Sequence, residues 1–371
     1  MSRARRMLPA LLAVATFPGC GHAAQRQRPI PKAPSPAEAD RLAVGSGTAF
    51  LDGYVDPDGR VVRRDQGNDT VSEGQAYGML VAAALGDAAR FDSIWGWTQA
   101  NLQRPDGLLA YHWANGSVRD RQAATDADLD AARALLVAGC RFGRSDLRAA
   151  AGRVGRAILA HETGPSAGGR VLAAGPWAVS HRRTVVNPSY LDPRTLIALG
   201  HLTGDHRYSA LARSGRRVIG ALSRPLPPDW AAVSSGSGTA SAASTAGGGR
   251  GTGKFSWDAP RTLVRLGADP DVVGRRIAAR AWRVFSGRAP GGIVVEHHLD
   301  GRRAGSSRSP VVLAAAAAAA QANGYRDSAA LLLHDAAALQ IAHPTYYGAA
   351  WTALARLMLT THRLQSKACQ I

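Results

Sequence analysis

Lysine is nearly absent from this 371-residue chain, occurring only at Lys32, Lys254 and Lys367, so arginine carries the formal net charge of +18. Nucleic-acid binders gather such charge into a stripe or patch and add exposed aromatics. The sequence displays neither pattern; its arginines read as dispersed over solvated helix faces, and nucleic acid is not an expected partner. Cysteine is scarce too. Of three, Cys20 falls in the leader described below, leaving Cys140 and Cys369, whose pairing the sequence leaves open. No His/Cys arrangement has zinc spacing, and His297-His298 lacks a third ligand. Asp126, Asp128 and Asp130 lack the glycine and distant glutamate of a calcium loop. Hence no metal and no cofactor is expected. A P-loop, a dinucleotide fingerprint and a Gly-x-Ser-x-Gly elbow are all missing, which removes the usual nucleotide-binding and serine-hydrolase readings. Long apolar runs are also lacking: residues 311–320 are apolar but far too short to span a bilayer, so stable membrane insertion is not expected.

What is present begins with a leader. Arg3, Arg5 and Arg6 precede an apolar run over residues 7–17, with small residues at Ala23-Ala24. That pattern predicts an export signal over residues 1–24 and a periplasmic or secreted protein. A lipid anchor at Cys20 is the lesser alternative, because Phe17-Pro18-Gly19 suits a lipoprotein signal poorly. Residues 25–34 are rich in Pro and Arg and read as a tether. With 46% hydrophobic and 19% charged residues, the remainder reads as one folded domain over residues 35–371.

Helical periodicity dominates that domain. It predicts helices over 35–53, 72–85, 91–102, 125–142, 145–161, 191–202, 206–222, 257–266, 270–285, 310–323, 326–342 and 346–360. Many end at Gly or Asn and restart within a few residues, as helical hairpins do. About twelve helices in tandem, with no fixed repeat, favour an all-α toroid of two concentric rings, an (α/α)6 barrel. Small β hairpins in loops are expected near 60–63 and 292–297. Residues 234–253, almost wholly Ser, Gly, Ala and Thr, read as a flexible surface loop.

Two acidic helix starts carry the candidate chemistry. Ser72-Glu73-Gly74-Gln75 has the form of a capping box, with Ser72 as cap and Gln75 at the third helical position. Gly74 is a poor helix former, and it leaves room for another group to approach the backbone. Glu73 at a helix mouth should have a lowered pKa. An acid role there requires a second carboxylate or an apolar wall to raise it. Thr125-Asp126-Ala127-Asp128 also opens a helix, with Thr125 as the expected cap. Asp126 and Asp130 share a face, and Asp128 points elsewhere. Tyr77, Tyr111, Trp113 and Trp257 sit near these carboxylates and could stack on sugars or fill the core.

These segments resemble glycoside hydrolase family 8. The carrying blocks are Ser72-Glu73-Gly74-Gln75-Ala76-Tyr77-Gly78-Met79 and Ala124-Thr125-Asp126-Ala127-Asp128, with Asn187-Pro188-Ser189-Tyr190-Leu191, Pro228-Asp229-Trp230, Trp257-Asp258-Ala259-x-Arg261 and Tyr346-Tyr347 in order after them. Several are similar to blocks of periplasmic endoglucanases that accompany bacterial cellulose synthases. The resemblance implies an (α/α)6 barrel that cuts a β-1,4-glucan with inversion, and a possible association with a cellulose synthase complex. Glu73 would donate the proton, Asp258 would act as base, and Asp126 would position the sugar. Tyr77, Trp113, Asn187, Tyr190, Trp257, Arg261 and Tyr346 would bind substrate. Trp257 departs from the usual Tyr, and the Ser/Gly-rich segment precedes Asp258. A non-catalytic glycan-binding or scaffold protein of a polysaccharide exporter, or an enzyme acting on another β-glycan such as xylan, is the rival reading. Asp130 matches no catalytic position and is expected to tolerate replacement by Asn.

Overall fold

Among the described residues, six helices are largely enclosed by the rest of the fold, and six carry one apolar stripe. The computed structural model describes residues 32–249 and 251–365. Within them the enclosed helices are α2 (Ser72–Leu85), α4 (Thr125–Arg141), α6 (Pro193–Thr203), α8 (Ala259–Gly267), α11 (Pro310–Ala322) and α13 (Tyr346–Thr360). All of α8 is buried, and so is every residue of α11 from Pro310 to Ala320. A helix buried on every side has no solvent face to supply, so these six form the inner ring. The striped helices are α1 (Pro36–Tyr54), α3 (Ala88–Asn101), α5 (Ser145–His161), α7 (Arg207–Leu222), α9 (Val272–Arg280) and α12 (Arg326–Ala342). In α1 the buried residues Ala39, Ala43, Gly47, Phe50 and Leu51 trace one face. A single turn, α10 (Trp282–Phe285), follows α9. The fold is an all-α (α/α)6 barrel. One hydrophobic core runs from Ala43 to Leu364, and packing of α1 against α13 closes the ring.

Local chemistry fixes the helix ends. Ser35, Asp192, Ser309 and Thr345 accept backbone N–H groups of α1, α6, α11 and α13 through their side chains. Pro36, Pro193 and Pro310 occupy first helical positions, where the missing N–H has no intrahelical partner anyway. Gly86 and Gly204, at φ of 80° and 70°, stop α2 and α6 in the left-handed conformation that glycine adopts at no steric cost.

Several local expectations are corrected. Ser72 lies inside α2 with Val71 as the cap residue, and Gln75 reaches away from the helix start. Its Oε1 accepts from the Val61 N–H at 2.5 Å and its Nε2 donates to Thr98 Oγ1 at 2.9 Å, so it pins a neighbouring loop and α3. Ala124, not Thr125, precedes α4. The helix expected from 257 begins at Ala259, and the one expected over 270–285 is the α9–α10 pair. Residues 60–63 and 292–297 form only isolated bridges, Val55–Val61, Arg63–Asp69, Phe255–His297 and His297–Arg303.

The described residues contain eight short strands. β1 (Thr70–Val71), β2 (His112–Ala114) and β3 (Ser117–Asp120) form one sheet, and β4 (Thr163–Ser166) pairs with β5 (Gly169–Leu172). β6 (Arg183–Val186), β7 (Trp230–Ser234) and β8 (Ala240–Ala243) form another. β8 lies inside the segment expected to be a flexible loop; its register sets Ala231 opposite Ala242 and Val233 opposite Ala240. A run of Ala and Ser offers no apolar–polar alternation to read, whereas the edge of β7 supplies backbone partners.

Arginine is not confined to solvated faces either: Arg133, Arg216, Arg261, Arg265 and Arg356 are buried. Cys140, near the end of α4, is disulfide-bonded. Cys20, Cys369, the expected leader and most of the expected tether lie outside the described residues. Among those described, no helix is long and apolar enough to cross a membrane.

Candidate active site

The acidic residues singled out in the sequence sit at the N-terminal ends of inner helices, and these ends converge on one mouth of the barrel. Glu73 is the second residue of α2, Asp126 the second of α4, and Asp258 immediately precedes α8. Arg261, one turn into α8, joins two of them. Its Nη1 donates to Asp126 Oδ2 at 2.6 Å and to the Tyr77 hydroxyl at 3.1 Å, while its Nη2 donates to Asp258 Oδ1 at 2.8 Å. Asn187 Nδ2 donates to the other Asp258 oxygen at 3.0 Å, and the Ser189 N–H and hydroxyl hold the Asn187 amide oxygen. Asp258 is thus gripped at both oxygens and still keeps lone pairs free on its exposed side.

Glu73 differs from its neighbours in having no cation bonded to it. Its Oε2 is buried without a hydrogen-bond partner. Burial first, and the Asp126 charge second, push its pKa up to about 8, against the weaker pull of Arg261 and Arg63. Burial also raises Asp126, but Arg261 opposes this at 2.6 Å. Of this coupled pair Glu73 therefore holds the proton and Asp126 the charge. The helix dipole, which would favour an ionised Glu73, is outweighed by desolvation. Tyr111 stands over the same group; the Glu73 charge and then burial raise its hydroxyl to about 12. It arrives there because β1 pairs with β2 and the Ser72 N–H donates to the Tyr111 carbonyl.

Gly74 makes room for Tyr346: a Cβ at position 74 would lie 2.7 Å from the Tyr346 hydroxyl. Tyr346 and Tyr77 line the cleft floor yet are only 3% and 1% exposed. They support the carboxylates and offer no open face for a sugar to stack on. Trp113 lies outside the cleft lining, where it packs edge-on to Trp97 with the Arg60 guanidinium 4.5 Å from its ring centroid. Trp257, 47% exposed, is an open cleft residue. Tyr190 lines the cleft beside Arg261, whose guanidinium sits 5.5 Å from the Tyr190 ring centroid.

Several contributors were not identified from the sequence as site residues. Trp177 and Trp230, with ring centroids 6.3 Å apart, line the cleft together with Tyr111. Asp229 accepts the Ser256, Asp258 and Ala259 N–H groups and the Ser256 hydroxyl, and so fixes the turn that presents Asp258. Its block was visible in the sequence, but its role required the contacts. Asp130 is fully buried in a two-point salt bridge with Arg265 at 2.7 and 2.8 Å, so its replacement by Asn would break a buried ion pair.

The cleft has two arms, of ≈ 600 and ≈ 550 Å³, and Glu73, Asp258 and Arg261 line both. One arm runs past Trp257, Tyr347 and Arg308; the other runs past Tyr111, Trp177 and Trp230. The arrangement offers a protonated carboxyl and a solvated carboxylate beside an aromatic-lined groove, the parts needed for acid–base hydrolysis of a glycosidic bond. Among the described residues, no group of three or more His, Cys, Asp or Glu could hold a metal ion.

The profile of Glycosyl hydrolases family 8 matches residues 43–279. A probable endoglucanase of Novacetimonas hansenii is 38% identical over 199 residues, covering 52% of this chain and 58% of that protein. An endoglucanase of Xanthomonas axonopodis pv. citri (strain 306) is 34% identical over 198 residues, covering 49% of this chain and 51% of that protein. The match thus spans a little over half the length of these curated relatives. Among solved structures, an endo-beta-1,4-glucanase from Acetobacter xylinum superposes with a TM-score of 0.74 at 31% identity, covering 85% of this chain and 97% of that one. A beta-1,3-1,4-glucanase from Paenibacillus sp. X4 has a TM-score of 0.78 at 21% identity over 89% of this chain and 94% of its own, a likeness of fold alone.

Proposed function

The chain belongs to family 8 of the glycosyl hydrolases, and on that premise we propose that it is an endo-acting β-1,4-glucanase working by inversion. The observation that carries this reading is the meeting of two cleft arms at Glu73, Asp258 and Arg261. A groove continuing to both sides of the reacting groups accepts the interior of a polymer, whereas a closed pocket would accept only its end.

In this reaction Glu73, protonated near neutral pH, gives its proton to the departing glycosidic oxygen. Asp258 takes a proton from a water attacking the opposite face of the sugar, held in orientation by Arg261 and Asn187. Asp126, kept ionised by Arg261, helps retain the Glu73 proton and positions the sugar beside it. A single displacement forms no covalent intermediate, so no nucleophilic role falls to Asp126. Trp257, Trp177, Trp230 and Tyr111 supply faces for successive sugars. The names of the endoglucanase relatives support a β-1,4-glucan as substrate. Export through residues 1–24 and a working association with a cellulose synthase complex belong to the same proposal; the first is checked by N-terminal sequencing of the exported protein.

The test is hydrolysis of soluble cellulose derivatives, followed by viscosity and reducing ends together. An endo-acting enzyme lowers viscosity well before reducing ends accumulate. Proton NMR of fresh products should show the α anomer first. An initial β anomer overturns inversion, and binding without hydrolysis favours the glycan-binding scaffold reading.

A further inference from the structure

The outer ring is electrically lopsided. On one half, α5 carries three arginines, α7 four, α9 three and α10 one, against the single acid Asp146 within these helices. The flanking Asp205, Asp269 and Asp271 pair with Arg207 and Arg216. On the other half, α1, α3 and α12 carry one arginine each and acids that outnumber them: Glu38, Asp40, Asp52, Asp92, Asp327 and Asp335. The basic helices are neighbours. The Tyr208 hydroxyl of α7 lies against Gly155 of α5, and Arg280 of α9 donates to the Gly220 carbonyl of α7 at 3.0 Å.

The burial pattern aims these charges outward. Arg153 and Arg156 on α5, Arg213 and Arg217 on α7, Arg276 on α9 and Arg283 on α10 are exposed. None of the six has a hydrogen-bond or ion-pair partner among the described residues. Arg153 and Arg156 stand one turn apart on α5, as do Arg213 and Arg217 on the neighbouring α7, so each pair points out from one face of its helix. An arginine row without carboxylates repels itself, and a folded surface gains nothing from it in the absence of an anionic partner.

We propose that this wall docks the protein on an anionic lipid bilayer. The surface is the outer flank of the barrel, about 25 Å along the helices. Beside the arginines it exposes apolar groups. Val272 and Val273 open α9 at 45% and 47% exposure, and Tyr325, 54% exposed, packs on Trp282. Aliphatic and aromatic side chains among arginines suit the headgroup layer, where guanidinium groups pair with phosphates and rings sit at the polar–apolar boundary. The catalytic cleft lies at the barrel mouth, so the docked flank leaves it open to substrate.

The test is flotation of the full chain with phosphatidylcholine vesicles, with and without phosphatidylglycerol. The chain should rise only with the anionic vesicles and be released at roughly 0.5 M salt, where screening is short-ranged. Each arginine near such a surface is worth about fivefold in binding. Arg213→Glu, Arg217→Glu and Arg276→Glu together should therefore weaken binding by roughly a hundredfold, with melting temperature and hydrolysis of soluble glucan unchanged. The charge-matched set Arg41→Glu, Arg90→Glu and Arg326→Glu, on the other half of the ring, should bind within a fewfold of the parent. Failure of the parent to float with anionic vesicles overturns the proposal, as does equal loss in the two sets. Equal affinity of the same arginines for a soluble polyuronate would assign the wall to an acidic glycan and reject the bilayer.

Discussion

Glu73 and Asp130 show how little a residue's type says about its ionisation or its cost of replacement. Both belong to short acidic blocks at helix starts. Glu73 ends without a cation and with a pKa near 8; Asp130 ends in a buried two-point salt bridge. Glu73→Gln keeps the side-chain shape and removes the transferable proton. Turnover should fall about 10²–10⁴-fold with circular dichroism unchanged. In the parent, activity that needs the protonated acid should persist to about pH 8 and decline above it. Stability carries the same signature. A carboxyl whose folded pKa exceeds its unfolded value binds more protons when folded, so its contribution is full below the ordinary carboxyl range and is lost as pH rises towards 8. Melts at pH 5 and pH 9 should show that decline in the parent and a smaller one in Glu73→Gln. Asp130→Asn leaves Arg265 with Asp192 at 3.4 Å as its remaining carboxylate. The loss should be about 3 kcal/mol of stability, read from chemical denaturation. The sequence displayed the acidic blocks but not the cations that face them, because Arg261 and Arg265 arrive from positions well over a hundred residues away.

Elements meet in ways that override local propensity, and α2 with α13 is the clearest case. Alanine exceeds glycine in a helix interior by about 1 kcal/mol, so Gly74→Ala viewed within α2 alone should stabilise. The Tyr346 hydroxyl would then face a Cβ at 2.7 Å. That ring cannot move freely, since it packs against Phe50 and Tyr54. Gly74→Ala should therefore destabilise by about 1–2 kcal/mol and lower kcat through a displaced Glu73. Adding Tyr346→Phe removes the clashing oxygen and should recover most of the lost stability. A double variant as unstable as Gly74→Ala alone would assign the cost to the backbone of α2. Gly74 as a gap for an approaching group was legible; that the group is Tyr346 was not. Capping was misread at Ser72 for a related reason. Gln75 finds stronger partners in Val61, Thr98 and their neighbours than at its own helix start, and only the packed α2–α3 pair provides them.

At the scale of the molecule, closure of the ring decides whether any of these contacts exist. α13 is buried from Gly348 to Leu359 and packs against α1 from the other end of the chain. The seam carries the Asp40–Arg363 ion pair and the hydrogen bonds from Arg356 to the Leu42 carbonyl and Ser46 hydroxyl. A chain ended before Tyr346 exposes the apolar faces of α1, α2 and α11 together. It should lose cooperative unfolding, measured as the disappearance of a sharp thermal transition, although the family match over residues 43–279 remains intact.

The sequence by itself determined the helical class, the number of long helices within one short turn, and the positions of Glu73, Asp126 and Asp258 at helix starts. Those properties depend on periodicity and capping, interactions that reach only a few residues along the chain. The tertiary structure alone decided that Arg261 joins Asp126 to Asp258, that Glu73 keeps its proton, and that Trp177, Trp230 and Tyr111 form the cleft in place of Trp113. It also decided that a Ser/Gly-rich stretch forms a strand against β7, and that the outer-ring helices rich in arginine stand side by side on one flank. Each of these requires groups distant in sequence to share a space, and that sharing is set by how two rings of helices close.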